Sequence, residues 1–187
     1  GDWSKFVIEE YKDITCKLYM FEPSLITFEQ LKNNITQTKD VFSYPIGFGD
    51  KKESLQMFYD NEAQRSARSI LMKGAKFSEE IQIETLDGFC KEHDIEKIDF
   101  LKMDVQGYEY NILLGAKELL SRRKIQYIQF EFDEPNIENR IFFKDFWELL
   151  QGKYDIYHSL YNGLIKVENY HYSLENYSCM NYLAIRK

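Results

Sequence analysis

Ile98-Asp99-Phe100-Leu101-Lys102-Met103-Asp104-Val105-Gln106-Gly107-Tyr108-Glu109 reads as a strand, a tight turn and the start of a helix. Ile98 to Met103 is an apolar-rich run of strand length, and Asp104 ends it. Gly107 permits the tight turn. Tyr108 to Leu120 carries Ile112, Leu113, Ala116, Leu119 and Leu120 on one helical face. Glu109 falls in the first turn of that helix, where negative charge suits the dipole. A carboxylate ending a buried strand needs a partner or a ligand, which makes Asp104 the first candidate for chemistry.

The pattern repeats on both sides. Downstream, Ile125 to Phe132 is a strand, and Gln129-Phe130-Glu131-Phe132-Asp133 closes it with acids. Glu131 is expected on the strand adjacent to Asp104, and two converging carboxylates can hold a proton, a substrate hydroxyl or a metal. Phe142, Phe143, Phe146, Trp147 and Leu150 mark a further helix. Upstream, Leu18-Tyr19-Met20-Phe21 is a short buried strand that stops at Glu22-Pro23-Ser24. Ser24 caps a helix with Phe28, Leu31 and Ile35 on its apolar face. Glu22 stands where nucleotide-binding α/β folds place an acid for the ribose hydroxyls. Phe6, Val7 and Tyr11 predict a first helix capped by Asp2 or Ser4, Val41 to Ile46 a strand, and Leu55 to Tyr59 another. Ile81 to Glu84 then reads as a strand and Thr85 to His93 as a helix.

Residues 61–76 are read as a long exposed loop or lid, since loops of that length in compact domains are usually functional or mobile. In the tail, Tyr154 to Leu160 and Leu164 to Val167 flank Tyr161-Asn162-Gly163, a strong hairpin signal. Met180 to Ile185 makes the last strand. Strands alternating with helices and closing on an antiparallel pair predict an α/β doubly wound sheet in one domain, residues 1–187, with ligands at the carboxyl ends of the strands.

Composition narrows the function. The chain has 187 residues, 44% hydrophobic and 29% charged, with a net charge of −7. That balance excludes a broad nucleic-acid surface, which needs a basic stripe. Arg122-Arg123-Lys124 reads as a helix end rather than a phosphate-binding patch. Cys16, Cys90 and Cys179 are odd in number and lack CxxC spacing, and no HxH or HExxH occurs, so no metal site is expected. His93 is expected near a helix end, and His158 and His171 as structural residues of the tail. No apolar run approaches the roughly 20 residues that span a bilayer. With no signal peptide at its start, the chain is expected in a reducing, cytoplasmic setting.

Taken together, Gly-Asp-Trp-Ser at 1–4, Tyr-Met-Phe-Glu-Pro-Ser at 19–24, Glu-Thr-Leu-Asp-Gly-Phe at 84–89, the 98–109 stretch, Gln-Phe-Glu-Phe at 129–132 and Asn-Tyr-Leu-Ala-Ile-Arg-Lys at 181–187 resemble the FkbM-type methyltransferase family. The resemblance implies a class I, Rossmann-like sheet of order 3-2-1-4-5-7-6, mostly parallel with an antiparallel strand 7. It implies S-adenosylmethionine as cofactor and O-methylation of a hydroxyl on a sugar, glycan or secondary metabolite. By motif match Glu22 binds the cofactor ribose, Gly1 and Asp2 lie near its amino-acid end, and Asp104 faces the methyl group or the substrate. Asp104, then Glu131, is the expected proton acceptor. Gln106 stands where the family commonly has Glu and is not expected to act as a base. The Asp-x-Gly-x-Asn part of the first motif is absent, so the sheet is expected to lack its first, central strand. A nicotinamide-dependent oxidoreductase and a non-catalytic interaction domain of the same fold are the competing readings.

Overall fold

The computed structural model describes residues 2–10, 16–35, 38–59 and 76–187. Gly1 and the expected lid, apart from Lys76, lie outside them. The chain forms two compact units, residues 1–47 with 52–83 and residues 48–51 with 84–187.

The first unit opens with α1 (Asp2–Glu10) and β1 (Leu18–Phe21). α2 (Leu25–Asn34) follows, with Ser24 as N-cap, as read from the sequence. β2 (Val41–Tyr44) pairs with β1 in parallel, Leu18 opposite Val41 and Phe21 opposite Tyr44. Two stacked aromatic pairs ride on this ladder, Tyr19–Phe42 and Phe21–Tyr44. β3 (Gly47–Phe48), β4 (Glu53–Tyr59) and β5 (Phe77–Glu84) form a second sheet of order β3-β5-β4. β4 and β5 are antiparallel, and Met57, Ile81 and Ile83 bury a small core between them.

The second unit begins with α3 (Leu86–Glu92), capped at its N-terminus by Thr85 and at its C-terminus by His93. β6 (Ile98–Lys102) leads to α4 (Glu109–Leu114) and α5 (Lys117–Ser121). The single helix expected over Tyr108 to Leu120 is therefore broken, and the reason is local. Gly115 packs against the carbonyl of Gly49 so closely that a Cβ would collide with it. Asp87 of α3 then stitches the break from outside. Its N–H donates to Gly115 O, and its carboxylate accepts the N–H groups of Glu118 and Leu119 at 2.8 and 3.0 Å. The new helix start thus has its orphan donors satisfied by a neighbouring helix.

β7 (Ile125–Phe132), α6 (Pro135–Glu138), α7 (Phe143–Leu150), β8 (Tyr154–Leu160), β9 (Gly163–Lys166), a 3₁₀ turn at Tyr172–Leu174 and β10 (Met180–Arg186) complete the chain. The sheet order is β6-β7-β10-β8-β9. β6 and β7 are parallel; β10 is antiparallel to both β7 and β8, and β8 to β9. The last strand is antiparallel as expected, but the expectation of a mostly parallel sheet is corrected. The Asn162-Gly163 hairpin and the return of β10 make antiparallel pairings the majority here.

Period-2 alternation gives this sheet two unlike faces. Ile128, Phe130 and Phe132 of β7, with Tyr182 and Ala184 of β10, are fully or almost fully buried. Phe143, Phe146 and Leu150 of α7 fill the same core. Phe130 stacks on Phe146 at 4.7 Å, and Phe143 lies 4.4 Å from Tyr182. Aromatic side chains, 16% of the sequence, thus supply a large share of this core. Residues 127, 129 and 131 project to the other face, which is where the acids begin.

Candidate active site

The carboxyl ends of β6 and β7 hold the site. Lys102 pairs with Gln129, and the ladder runs one bond further, Met103 N–H donating to Gln129 O at 2.9 Å. Continuing that register by two residues brings Asp104 level with Glu131, as the sequence suggested. Asp104 is exposed and forms a 2.9 Å ion pair with Lys102. Glu131 is half-buried, and its carboxyl is held above the usual range. Burial is the main cause; the charges of Asp133 and Asp104 add to it, while Lys102 and a hydrogen bond from Asn181 oppose it. Asn181 faces Glu131 across the β7–β10 ladder.

Three residues that sequence reasoning passed over complete the cluster. Asp133, one step past β7, is only 4% exposed. Its N–H donates to Asn136 Oδ1 at 3.0 Å, while its own Oδ1 is buried without a hydrogen-bond partner among the described residues. Burial, then Asp104, then Glu134 hold its carboxyl up. Cys179 precedes β10 with a left-handed φ of 52° and an exposed thiol. Ligating atoms of Glu131, Asp133 and Cys179 all lie within 4.8 Å of one another.

Glu109 is the third. Read as a favourable N-terminal acid, it proves to be fully buried. Its carboxylate accepts the Val105 N–H at 2.9 Å and so closes the loop that carries Asp104. Desolvation pushes its pKa up to about 7 against the opposing backbone hydrogen bonds, with Asp133 adding repulsion. Gln106 and Gly107 occupy this loop with φ of 56° and 91°. Gly107 is doubly required, since a Cβ there would sit 2.7 Å from Pro135 Cβ. Asn139 Nδ2 donates to Gly107 O at 2.6 Å and fixes the turn from the far side.

Glu22 belongs to the other unit. It follows β1, its N–H donates to Tyr44 O at 3.2 Å, and its carboxylate accepts the Ser24 N–H at 3.0 Å. Asp2 opens α1, and Gly1 lies outside the described residues. The histidines are structural: His93 lies 4.1 Å from the Phe89 ring, His158 stacks on Tyr182, and His171 accepts from Ser173 N–H. No helix among the described residues is long and apolar enough to cross a membrane.

This mixed α/β scaffold has a solved counterpart. The crystal structure of methyltransferase FkbM from Methylobacillus flagellatus KT shares the fold, with a TM-score of 0.59 and 16% identity, over 98% of this chain and 40% of that one. Residues 1–157 match the methyltransferase FkbM domain, and the chain belongs to that family. A curated relative, 2-O-methyltransferase NoeI of Sinorhizobium fredii, is 24% identical over 134 residues. That match spans 63% of this chain and 55% of the relative, so the chain corresponds to about half of that protein's length.

Proposed function

We propose that residues 1–187 are a single domain of an S-adenosylmethionine-dependent O-methyltransferase acting on a hydroxyl of a sugar, a glycan or a secondary metabolite. The observation that carries this reading is that Asp104 and Glu131, near the carboxyl ends of the adjacent parallel strands β6 and β7, lie close enough for the charge of Asp104 to raise the Glu131 carboxyl. Family membership and the relative's 2-O-methyltransferase name support methyl transfer to oxygen. The sheet orders also support a class I, Rossmann-like arrangement. β6, β7, β10 and β8 of the second unit read as its strands 4, 5, 7 and 6.

The chemistry of Glu22 fits the cofactor. Its carboxylate ends a parallel strand and is steadied by a backbone N–H, the arrangement that suits accepting ribose hydroxyl hydrogens. Asp104 would face the reacting centre. When bound, the cofactor supplies a methyl group on an activated sulfonium. What remains for the chain is alignment and removal of the hydroxyl proton. Asp104 is the first proton acceptor in this scheme. Its ion pair with Lys102 aims the carboxylate, and its exposure lets an acceptor reach it. Glu131 is the second.

The experiment is transfer of labelled methyl from S-adenosylmethionine to a panel of sugars and glycans. Incorporation into a hydroxyl of at least one acceptor, lost on competition with S-adenosylhomocysteine, is the expected result. Cofactor binding by calorimetry without any transfer would favour an interaction domain. Binding of a nicotinamide dinucleotide in its place would favour the oxidoreductase.

A further inference from the structure

Four carboxylates, Asp104, Glu131, Asp133 and Glu134, crowd the end of β7, and the charges acting there include one cation, Lys102. Acids crowd protein surfaces without consequence, but Asp133 is different. It is 96% buried, and one of its oxygens has lost water and gained no donor among the described residues. A buried carboxylate oxygen in that condition is costly unless a proton or a cation meets it. The same carboxyl belongs to the group in which ligating atoms of Glu131, Asp133 and Cys179 converge within 4.8 Å.

We propose that Glu131, Asp133 and the Sγ of Cys179 form a divalent-cation site of the zinc class. The donor set decides the class. Carboxylates alone suit magnesium or calcium, whereas a thiolate beside them selects the softer zinc(II). Three protein ligands leave one tetrahedral position open, as zinc sites that act on substrates do. At zinc bond lengths the ligands of a tetrahedron stand about 3.4–3.7 Å apart, so the group closes by roughly 1 Å on the ion. Cys179 is exposed and gives the ion its way in. Binding forms two zinc–oxygen bonds and one zinc–sulfur bond and releases the thiol proton to solvent.

The sequence concealed this set because its members are not spaced as a motif. Two come from the end of β7 and the third from the loop before β10; the sheet brings them together because β10 returns beside β7. The site also goes beyond the methyl-transfer reading. If Glu131 ligates a metal, Asp104 is left as the proton acceptor of the pair.

The test is direct binding, independent of turnover. The chain, stripped with a chelator, is titrated with zinc(II) by calorimetry and with cobalt(II) by absorbance. We expect one ion per chain and a thiolate-to-cobalt charge-transfer band in the near ultraviolet. Cys179→Ser removes the band, while Cys16→Ser keeps it. Asp133→Asn, which preserves shape, weakens zinc binding about tenfold or more. Circular dichroism checks that each variant is folded. Absence of saturable zinc binding by the folded wild type overturns the proposal. So does a band that survives Cys179→Ser, or an affinity indifferent to Asp133→Asn.

Discussion

Glu109 accepts a hydrogen bond from the Val105 N–H at 2.9 Å while its own carboxyl has no exposure to solvent. The bond spans the loop that presents Asp104, so the acid supports the site without belonging to its surface. Its pKa of about 7 lies above the roughly 4.3 of an unfolded glutamate. Between those values the folded state holds the proton more tightly than the unfolded state, and stability falls as pH rises. Across that window the loss is about 4 kcal/mol. We expect Glu109→Gln to flatten this slope and to be the more stable protein at pH 8. Urea unfolding at a series of pH values, with chelator present, checks it. A parallel slope in the variant would assign the effect to other groups.

Gly107 has a φ of 91° and no room for a side chain beside Pro135. Gly107→Ala is expected to cost about 2–4 kcal/mol from the combined backbone and steric penalty. Its effect on thermal unfolding should far exceed that of Gly152→Ala, where a Cβ meets nothing within 4 Å.

Two helix starts depend on acids from elsewhere in the chain. Asp87 accepts two N–H groups of α5, and Glu175 accepts those of Phe143 and Lys144 at 2.7 and 3.1 Å. Asp87→Ala and Glu175→Ala should each cost about 1–2 kcal/mol, in the range of lost caps. Denaturant midpoints measure this, and an unchanged midpoint would show that water replaces the carboxylate at no cost.

In the methyl-transfer scheme, Glu22→Ala acts mainly on cofactor affinity and Asp104→Asn mainly on turnover. The asparagine keeps the shape but cannot accept the proton as a base. Cofactor titration and initial rates on both variants separate the two effects. A wild-type rate for Asp104→Asn would pass the role to Glu131.

The sequence showed the strands and the acids at their ends because apolar patterning is a local property. Leu18–Phe21, Ile125–Phe132 and the Asn162-Gly163 hairpin all stand where the pattern put them. The break at Gly115 was hidden because its causes, Gly49 and Asp87, are far away in sequence. Asp133 and Cys179 were invisible as a pair for the same reason. Glu109 was legible as an acid at a helix start, but not as a buried one, since tertiary packing rather than local sequence removes its water.

β10 is last in order yet stands in the middle of its sheet, joining β7 on one side to β8 on the other. During synthesis, then, β6–β7 and β8–β9 are made as two separate ribbons, with the join withheld until β10 leaves the ribosome. The two ribbons wait with unpaired edges, which slows assembly and exposes them to wrong partners. Loss of Met180–Arg186 would not trim an edge but cut the sheet in two, so a chain lacking that one strand should be unable to fold this unit at all.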